Sequence, residues 1–264
     1  MMMAMNTDRL YHRLLPVASL AGILLIWELC GRLGLLNPLF FPVPTLILTM
    51  FLKMLADGDI QKHLAITLFR VFAGFLIGTI PGIAIGLVMG ASNTVRQILD
   101  PVVAALYPVP KLSIFPLLMV IFGIGELSKI MAIAIGCFFL TLINAMAGVR
   151  NINKVYFEVA KNYGASKRQL FTRVMLPASM PMIFTGIRIA LGMSLIVVVG
   201  VEFISANYGI GALIWNAWQT FEIEKLYVGI AICAILGLLL TLTVKKLEEY
   251  LIPWVGQLAY RAEG

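Results

Sequence analysis

Long apolar runs separated by short polar breaks dominate the chain, at about residues 14–31, 64–90, 101–122, 129–149, 180–204 and 226–244. Each approaches the ~20 residues a helix needs to cross the hydrocarbon core of a bilayer. The pattern therefore predicts an all-α integral membrane protein with about six transmembrane helices and both termini on one side. A further apolar stretch, 42–56 (PVPTLILTMFLKMLA), is too short to cross and is stopped by Asp57, Gly58 and Asp59. It reads as an amphipathic helix lying on the outer surface. The first run holds Trp27 and Glu28 and lacks a small-residue cleavage site, so it is expected to stay as a span.

Composition narrows the class. Hydrophobic residues make up 61% and charged residues 12%, with a mean hydropathy of +0.96. So little charge cannot cover a water-soluble body, which excludes an ordinary soluble enzyme. The same numbers exclude a disordered chain. The 264 residues fit one membrane domain over 1–264, with its core at about 64–250. The net charge of +7 is read as cytoplasmic loop charge rather than a nucleic-acid footprint. With the N-terminus inside, the inner set is Arg9, Arg13, Arg96, Arg150, Lys154, Lys161, Lys167, Arg168, Arg173, Lys245, Lys246 and Arg261. The outer set is only Arg32, Lys53, Lys62, Lys129 and Lys225, so the chain is expected to lie N-in and C-in.

Two runs carry internal signals. Gly74, Gly78, Gly82, Gly86 and Gly90 recur every fourth residue and form one ridge without side chains. Such a ridge lets a neighbouring helix approach closely, a packing role. The third run is opened by Asp100-Pro101 and interrupted by Pro108, Pro110 and Pro116, with Lys111 between them. Interior prolines remove backbone hydrogen bonds. Unwound backbone at membrane depth is tolerated inside protein or along a water-filled path. A pore or gate lining that includes Tyr107, Pro108 and Pro110 is favoured over a kinked packing helix.

Catalytic chemistry is missing. The two histidines, His12 and His63, lie outside the runs or at their edge, and the four aspartates avoid mid-membrane positions. No zinc motif H-E-x-x-H and no phosphate-binding G-x-x-x-x-G-K-[ST] occurs. Cys30, Cys137 and Cys233 have no metal-ligand spacing and are expected to be buried free thiols. The polar residues left within the runs are Glu28, Arg70, Asn144, Arg188, Ser194 and Glu202. Glu28 precedes Arg32 by one helical turn, which suggests a surface pair. Arg70 and Arg188 sit near span ends, where snorkelling is expected. Glu202 has no basic neighbour in sequence and reads either as a pathway residue or as one end of a structural bond. Asn144 lines the path or bridges two helices, and Ser194 joins the candidate path.

The longest connection, about 150–179, holds six basic residues against one acid, Glu158, and is a natural docking surface for a soluble partner. From Glu158 it reads E-V-A-K-N-Y-G, nine residues, then V-M-L-P at 174–177. This resembles the E-A-A-x-x-x-G-x9-I-x-L-P signature of bacterial ABC importer permeases. Glu158, Ala160, Gly164, Leu176 and Pro177 are in register, with Val159 and Val174 as mild replacements. LDP (99–101), PVPKLSIFPL (108–117), FGIGELSK (122–129), GIR (186–188), VEF (201–203) and YGIGALI (208–214) are similar to the nitrate, sulfonate, taurine and bicarbonate group. The taurine and alkanesulfonate permeases are nearest, from about residue 36 to Trp254. Ile121 and Tyr107 depart from the tryptophan and arginine common there, which implies a different cargo if those positions touch solute.

The resemblance implies a type I ABC importer permease in the bacterial inner membrane. It would pair with a second copy and with two ATPase subunits, which bind ATP and Mg. An extracytoplasmic binding protein would deliver a small-molecule solute, and lipid would surround the spans; no nucleic acid is involved. Glu158, Val159, Ala160, Gly164, Ala165, Leu176 and Pro177 would couple to the ATPase. The cargo would be a small anion or, alternatively, a neutral or heterocyclic solute such as a vitamin or pyrimidine precursor. A stand-alone secondary transporter is the rival class, and a membrane enzyme comes third.

Overall fold

Polar caps and glycine stops cut the apolar chain into helices. Ser92 accepts from the Val95 amide and starts one helix, and Asn153 does the same for Val155. Ser166 and Gln169 form a reciprocal capping box. Gly123 closes another helix with φ of +80°, a conformation a side chain resists. The computed structural model describes residues 2–254, with side chains from Leu15 onward except at Pro16 and Val17. The side chains of Arg9 and Arg13, and all of Arg261, lie outside the described residues.

The regular elements among the described residues are helical. In order they are α1 Met2–Arg32, α2 Pro44–Ala56, α3 Asp59–Ala91, α4 Asn93–Leu106, a 3-10 turn Lys111–Ile114 and α5 Phe115–Phe122. Then come α6 Glu126–Arg150, α7 Lys154–Asn162, α8 Lys167–Gln169, a π-helical segment Leu170–Met175, α9 Leu176–Ser205, α10 Ile210–Gln219 and α11 Ile223–Leu251. Among the described residues, four helical stretches are long and apolar enough to cross a membrane: Asp59–Ala91, Glu126–Arg150, Lys167–Ser205 and Ile223–Leu251. The pair Asn93–Leu106 and Lys111–Phe122, bent by 88°, makes a fifth apolar element.

Three boundaries differ from the sequence reading. Asp100-Pro101 does not open the third span; the helix starts at Asn93, where Ser92 supplies the cap, and Pro101 sits inside it. The fifth run begins earlier, because the helix is continuous from Lys167 to Ser205. The expected connection 150–179 therefore ends in helix. Pro177 lacks an amide and its ring crowds the carbonyl four residues back. The π-helical turn just before it accommodates both defects.

The described chain forms two compact units. The first comprises residues up to 61 with 213–231. Here Glu28 pairs with Arg32 at 2.6 Å, and it also accepts from the Thr45 amide at 3.0 Å and hydroxyl at 2.9 Å. The local pair of the sequence reading is thus also the tie that holds the start of α2. Trp27 packs on Tyr227, whose hydroxyl donates to the Phe40 carbonyl.

The second unit comprises residues 62–212 and 232 onward, and α6 is its axis. α6 is buried along most of its length and packs most extensively along α9. Their shared core includes Ile133, Cys137, Leu140, Phe184, Leu191 and Val198, joined by Val71 and Phe115. The glycine ridge of α3 lies on α6. A β-carbon at Gly74, Gly78, Gly82, Gly86 or Gly90 would meet the carbonyl of Ile130, Ala134, Phe138, Leu142 or Met146 in turn. Both series step by four residues, so the two helices run the same way in register. Close Cα–H to carbonyl contacts of this kind recur at helix interfaces and contribute about 0.5–1 kcal/mol each.

Candidate functional site

The first candidate region is the break in the bent pair. Residues 107–110 (YPVP) carry two prolines and leave the last carbonyls of α4 without intrahelical donors. Lys111 answers them. Its Nζ donates to the carbonyls of Leu106 at 3.2 Å, Tyr107 at 2.8 Å and Val109 at 2.9 Å. A cation at a helix C-terminus also meets the negative end of the helix dipole. The same ammonium lies 4.9 Å from the Phe139 ring centroid and 5.9 Å from that of Tyr107. A cavity of about 380 Å³ adjoins it, with Tyr107, Pro108, Pro110, Gly136 and Met193 in its wall. Three of the residues expected along the path, Tyr107, Pro108 and Pro110, thus line one space.

The second region lies where α6 begins and α9 finishes, at the opposite end from α7. Arg70 is 2% exposed, so it does not snorkel; it is the centre of an ionic cluster. Its Nε and Nη2 grip both oxygens of Glu126 at 2.6 Å, a bidentate pair. Its Nη1 donates to Glu202 at 2.7 Å and to the Tyr208 carbonyl at 2.7 Å. Glu202 is fully buried and accepts in addition from the Thr67 hydroxyl and, at 2.8 Å, from the Gly211 amide. Thr67 in turn accepts from the Ile210 amide at 2.8 Å. Lys129, placed with the outer loop charges by the sequence reading, is 3% exposed and bonds the Gly125 carbonyl. Gly209, at φ of +131°, lets the turn fold over Glu202, since a side chain there would collide with the carboxylate.

Glu126, Lys129 and Lys111 were not among the site residues the sequence suggested. The signal was present in FGIGELSK and, far along the chain, in the near neighbours VEF and YGIGALI, which meet in this cluster. Lys111 stood inside the proline run and passed as part of it.

The third region is the connection after α6. α7 is amphipathic. Phe157 packs toward the core made by Leu87, Val149 and Ile183, while Val155, Tyr156, Val159 and Tyr163 are exposed. At 3.6 residues per turn these four share one face of the helix. Glu158 and Ala160 lie on α7, and Gly164 follows it at φ of +75°. There the amides of Gly164 and Ala165 close back on the carbonyls of Lys161 at 2.9 Å and Ala160 at 3.0 Å, a glycine stop. Leu176 and Pro177 open α9.

The remaining residues are quieter. Ser194 is buried and donates to the Leu191 carbonyl. Asn144 does not bridge two helices by hydrogen bond; its amide donates to Leu140 of its own helix, and Gly186 of α9 packs on its Cβ. Arg188 is not merely snorkelling, for it pairs with Glu248 of α11. Cys137 is buried, but Cys30 and Cys233 are only partly so, because their helix faces are not fully covered.

The chain belongs to the family described as the inner membrane component of binding-protein-dependent transport systems, which matches residues 82–257. Among its relatives, the taurine transport system permease of Escherichia coli K12 is 36% identical over 248 residues, covering 92% of this chain and 90% of that protein. The aliphatic sulfonates permease of Bacillus subtilis 168, named as putative, is 36% identical over 89% of this chain and 85% of its own length. The nitrate import permease of a Synechocystis strain is 32% identical, with 90% and 89% covered. A MetNI methionine ABC transporter chain in an inward-facing conformation superposes with a TM-score of 0.60 at 17% identity, covering 74% of this chain and 96% of that chain. The fold is that of an ABC importer permease, a non-catalytic subunit whose partner ATPase hydrolyses ATP.

Proposed function

We propose that two copies of this chain form the translocation path of a bacterial inner-membrane importer for a small anion, of the sulfonate, taurine, nitrate or bicarbonate kind. Each copy is a single permease domain over 1–264. A binding protein delivers the solute from outside, and two ATPase subunits holding ATP and Mg act from inside. The relatives' names support the anion class, since taurine, sulfonate, nitrate and bicarbonate permeases all cover most of this chain.

The observation that carries the coupling role is the bare apolar face of α7. Val155, Tyr156, Val159 and Tyr163 are exposed on a short capped helix, the helix-in-groove mode of docking. Glu158, Ala160, Gly164, Ala165, Leu176 and Pro177 shape its far side, its stop and the entry into α9. Basic residues around α7 support a cytoplasmic location and hence N-in, C-in orientation with α1 as the sixth span. ATP-driven closure of the ATPase subunits would shift the permease pair between two states for which α7 has different partners. The glycine ridge of α3, packed against α6, would keep α3 and α6 together as one rigid body. Tyr107, Pro108 and Pro110 line the path. Glu202 and Ser194, both buried and bonded, serve as braces beside it, and Asn144 seats α9.

A second reading, a neutral heterocyclic cargo, is favoured by one relative: the formylaminopyrimidine permease of Halalkalibacterium halodurans, 29% identical over 93% of this chain. ATP-driven uptake by membrane vesicles holding the whole importer separates the two. Accumulation of taurine, ethanesulfonate, nitrate or bicarbonate supports the anion reading. Accumulation of formylaminopyrimidine alone overturns it.

A further inference from the structure

Charge accounting inside the spans singles out one residue. Arg70 and Lys129 face Glu126 and Glu202, and Arg188 faces Glu248. Among the described residues of the apolar runs 64–90, 101–122, 129–149 and 180–204, Lys111 is the cation that has no carboxylate partner; it has carbonyls and ring faces instead. Intramembrane charges are costly and face the protein interior or a water-filled space. The carbonyls at the end of α4 offer only the partial charge of a helix terminus, so a net positive field remains at the break.

That field meets the cavity of about 380 Å³ whose wall includes Tyr107, Pro108 and Pro110. Capping the broken helix needs hydrogen-bond donors, which a neutral amide also provides; the positive charge goes beyond that need. The carbonyls keep the ammonium masked, and a pathway site must bind weakly enough to let its cargo leave.

We infer that Lys111 is an anion-binding residue of the translocation path, exchanging one or more carbonyl partners for an oxygen of a passing sulfonate or other oxyanion. This rests on the anion-importer reading. It adds to that reading a named counter-charge, and it assigns the break in the span a recognition role besides a gating one.

The test measures ATP-driven uptake of taurine, ethanesulfonate and nitrate by the intact importer carrying wild-type chain, Lys111→Gln or Lys111→Arg, with complex yield and ATP hydrolysis measured beside it. Gln keeps donors without charge, and Arg keeps the charge. The expected result is a tenfold or greater loss of anion uptake in Lys111→Gln, with complex and ATP hydrolysis retained, and uptake within about threefold of wild type in Lys111→Arg. Wild-type uptake by Lys111→Gln overturns the inference, as does equal loss in both variants, which marks a purely geometric clamp. A wild-type complex that carries none of the three anions overturns the importer reading itself and the inference with it. If Lys111→Gln does not assemble, Lys111→Cys in a background without Cys30, Cys137 and Cys233 replaces it. Recovery of uptake on aminoethylation of the new thiol but not on methylthiolation supports the inference; recovery with both, or with neither, overturns it.

Discussion

Two cationic sites among the described residues, those of Arg70 and Lys111, are built in opposite ways. At the end where α6 begins, Arg70 is held by two carboxylates and the Tyr208 carbonyl, Lys129 adds a second cation beside Glu126, and Glu202 has no exposed surface. At the break between α4 and α5, Lys111 meets only carbonyls and ring faces, beside open space. The first arrangement leaves no charge over and joins α3, α6, α9 and the 206–211 turn. The second leaves a charge over and holds the corner between α4 and α5. Balanced charge braces this fold, and unbalanced charge marks where it can meet a ligand.

The contrast breaks most severely at the brace. Arg70→Met strands two carboxylates, and removing one partner of a buried pair costs about 3–5 kcal/mol. Thermal unfolding of the solubilised complex should show a large drop or no recoverable complex; an unchanged midpoint would mean that the cluster carries no stability. Next comes the glycine ridge. Gly78→Leu drives a side chain into the Ala134 backbone and should cost at least ~1–3 kcal/mol by overpacking. Gly192→Leu, on α9 with open space around it, is the control that should leave the midpoint nearly unchanged.

The third test leaves stability aside. Glu158→Lys changes an exposed residue, so unfolding should shift by no more than ~0.5 kcal/mol, whereas ATP-driven uptake should fall tenfold or more. Normal uptake at normal expression would remove α7 from the coupling role. Gly164→Ala forces a β-carbon into φ of +75° and should cost about 1–2 kcal/mol at the end of α7. The smallest effect belongs to Glu248→Gln, which weakens a partly exposed pair with Arg188 and should cost less than about 1 kcal/mol by the same unfolding assay.

Much of this was legible in sequence because it is local or periodic. The apolar runs, the four-residue glycine step, the proline break and the E-V-A-K-N-Y-G segment are each written within a few turns of chain. The helix starts were readable in part: Ser92 stood before the third run, yet Asp100-Pro101 drew attention because proline is a louder signal than a serine cap. The ionic cluster was not legible. Arg70 lies 56 residues from Glu126 and 132 from Glu202, and no local spacing rule joins them. Glu202 thus read as a lone carboxylate, and Arg70 as a snorkelling cation, until packing brought them together. The bridging alternative for Asn144 failed for a related reason, since an asparagine in a helix can satisfy its amide on its own preceding turn, and Leu140 offers that acceptor.

The most direct test of the account is to purify the tagged chain from its native membrane in mild detergent and to reconstitute what comes with it. The account predicts an ATP-binding subunit in equal amount with this chain, and solute uptake into liposomes that stops when ATP is withheld. A single species that carries solute into liposomes without ATP would contradict it.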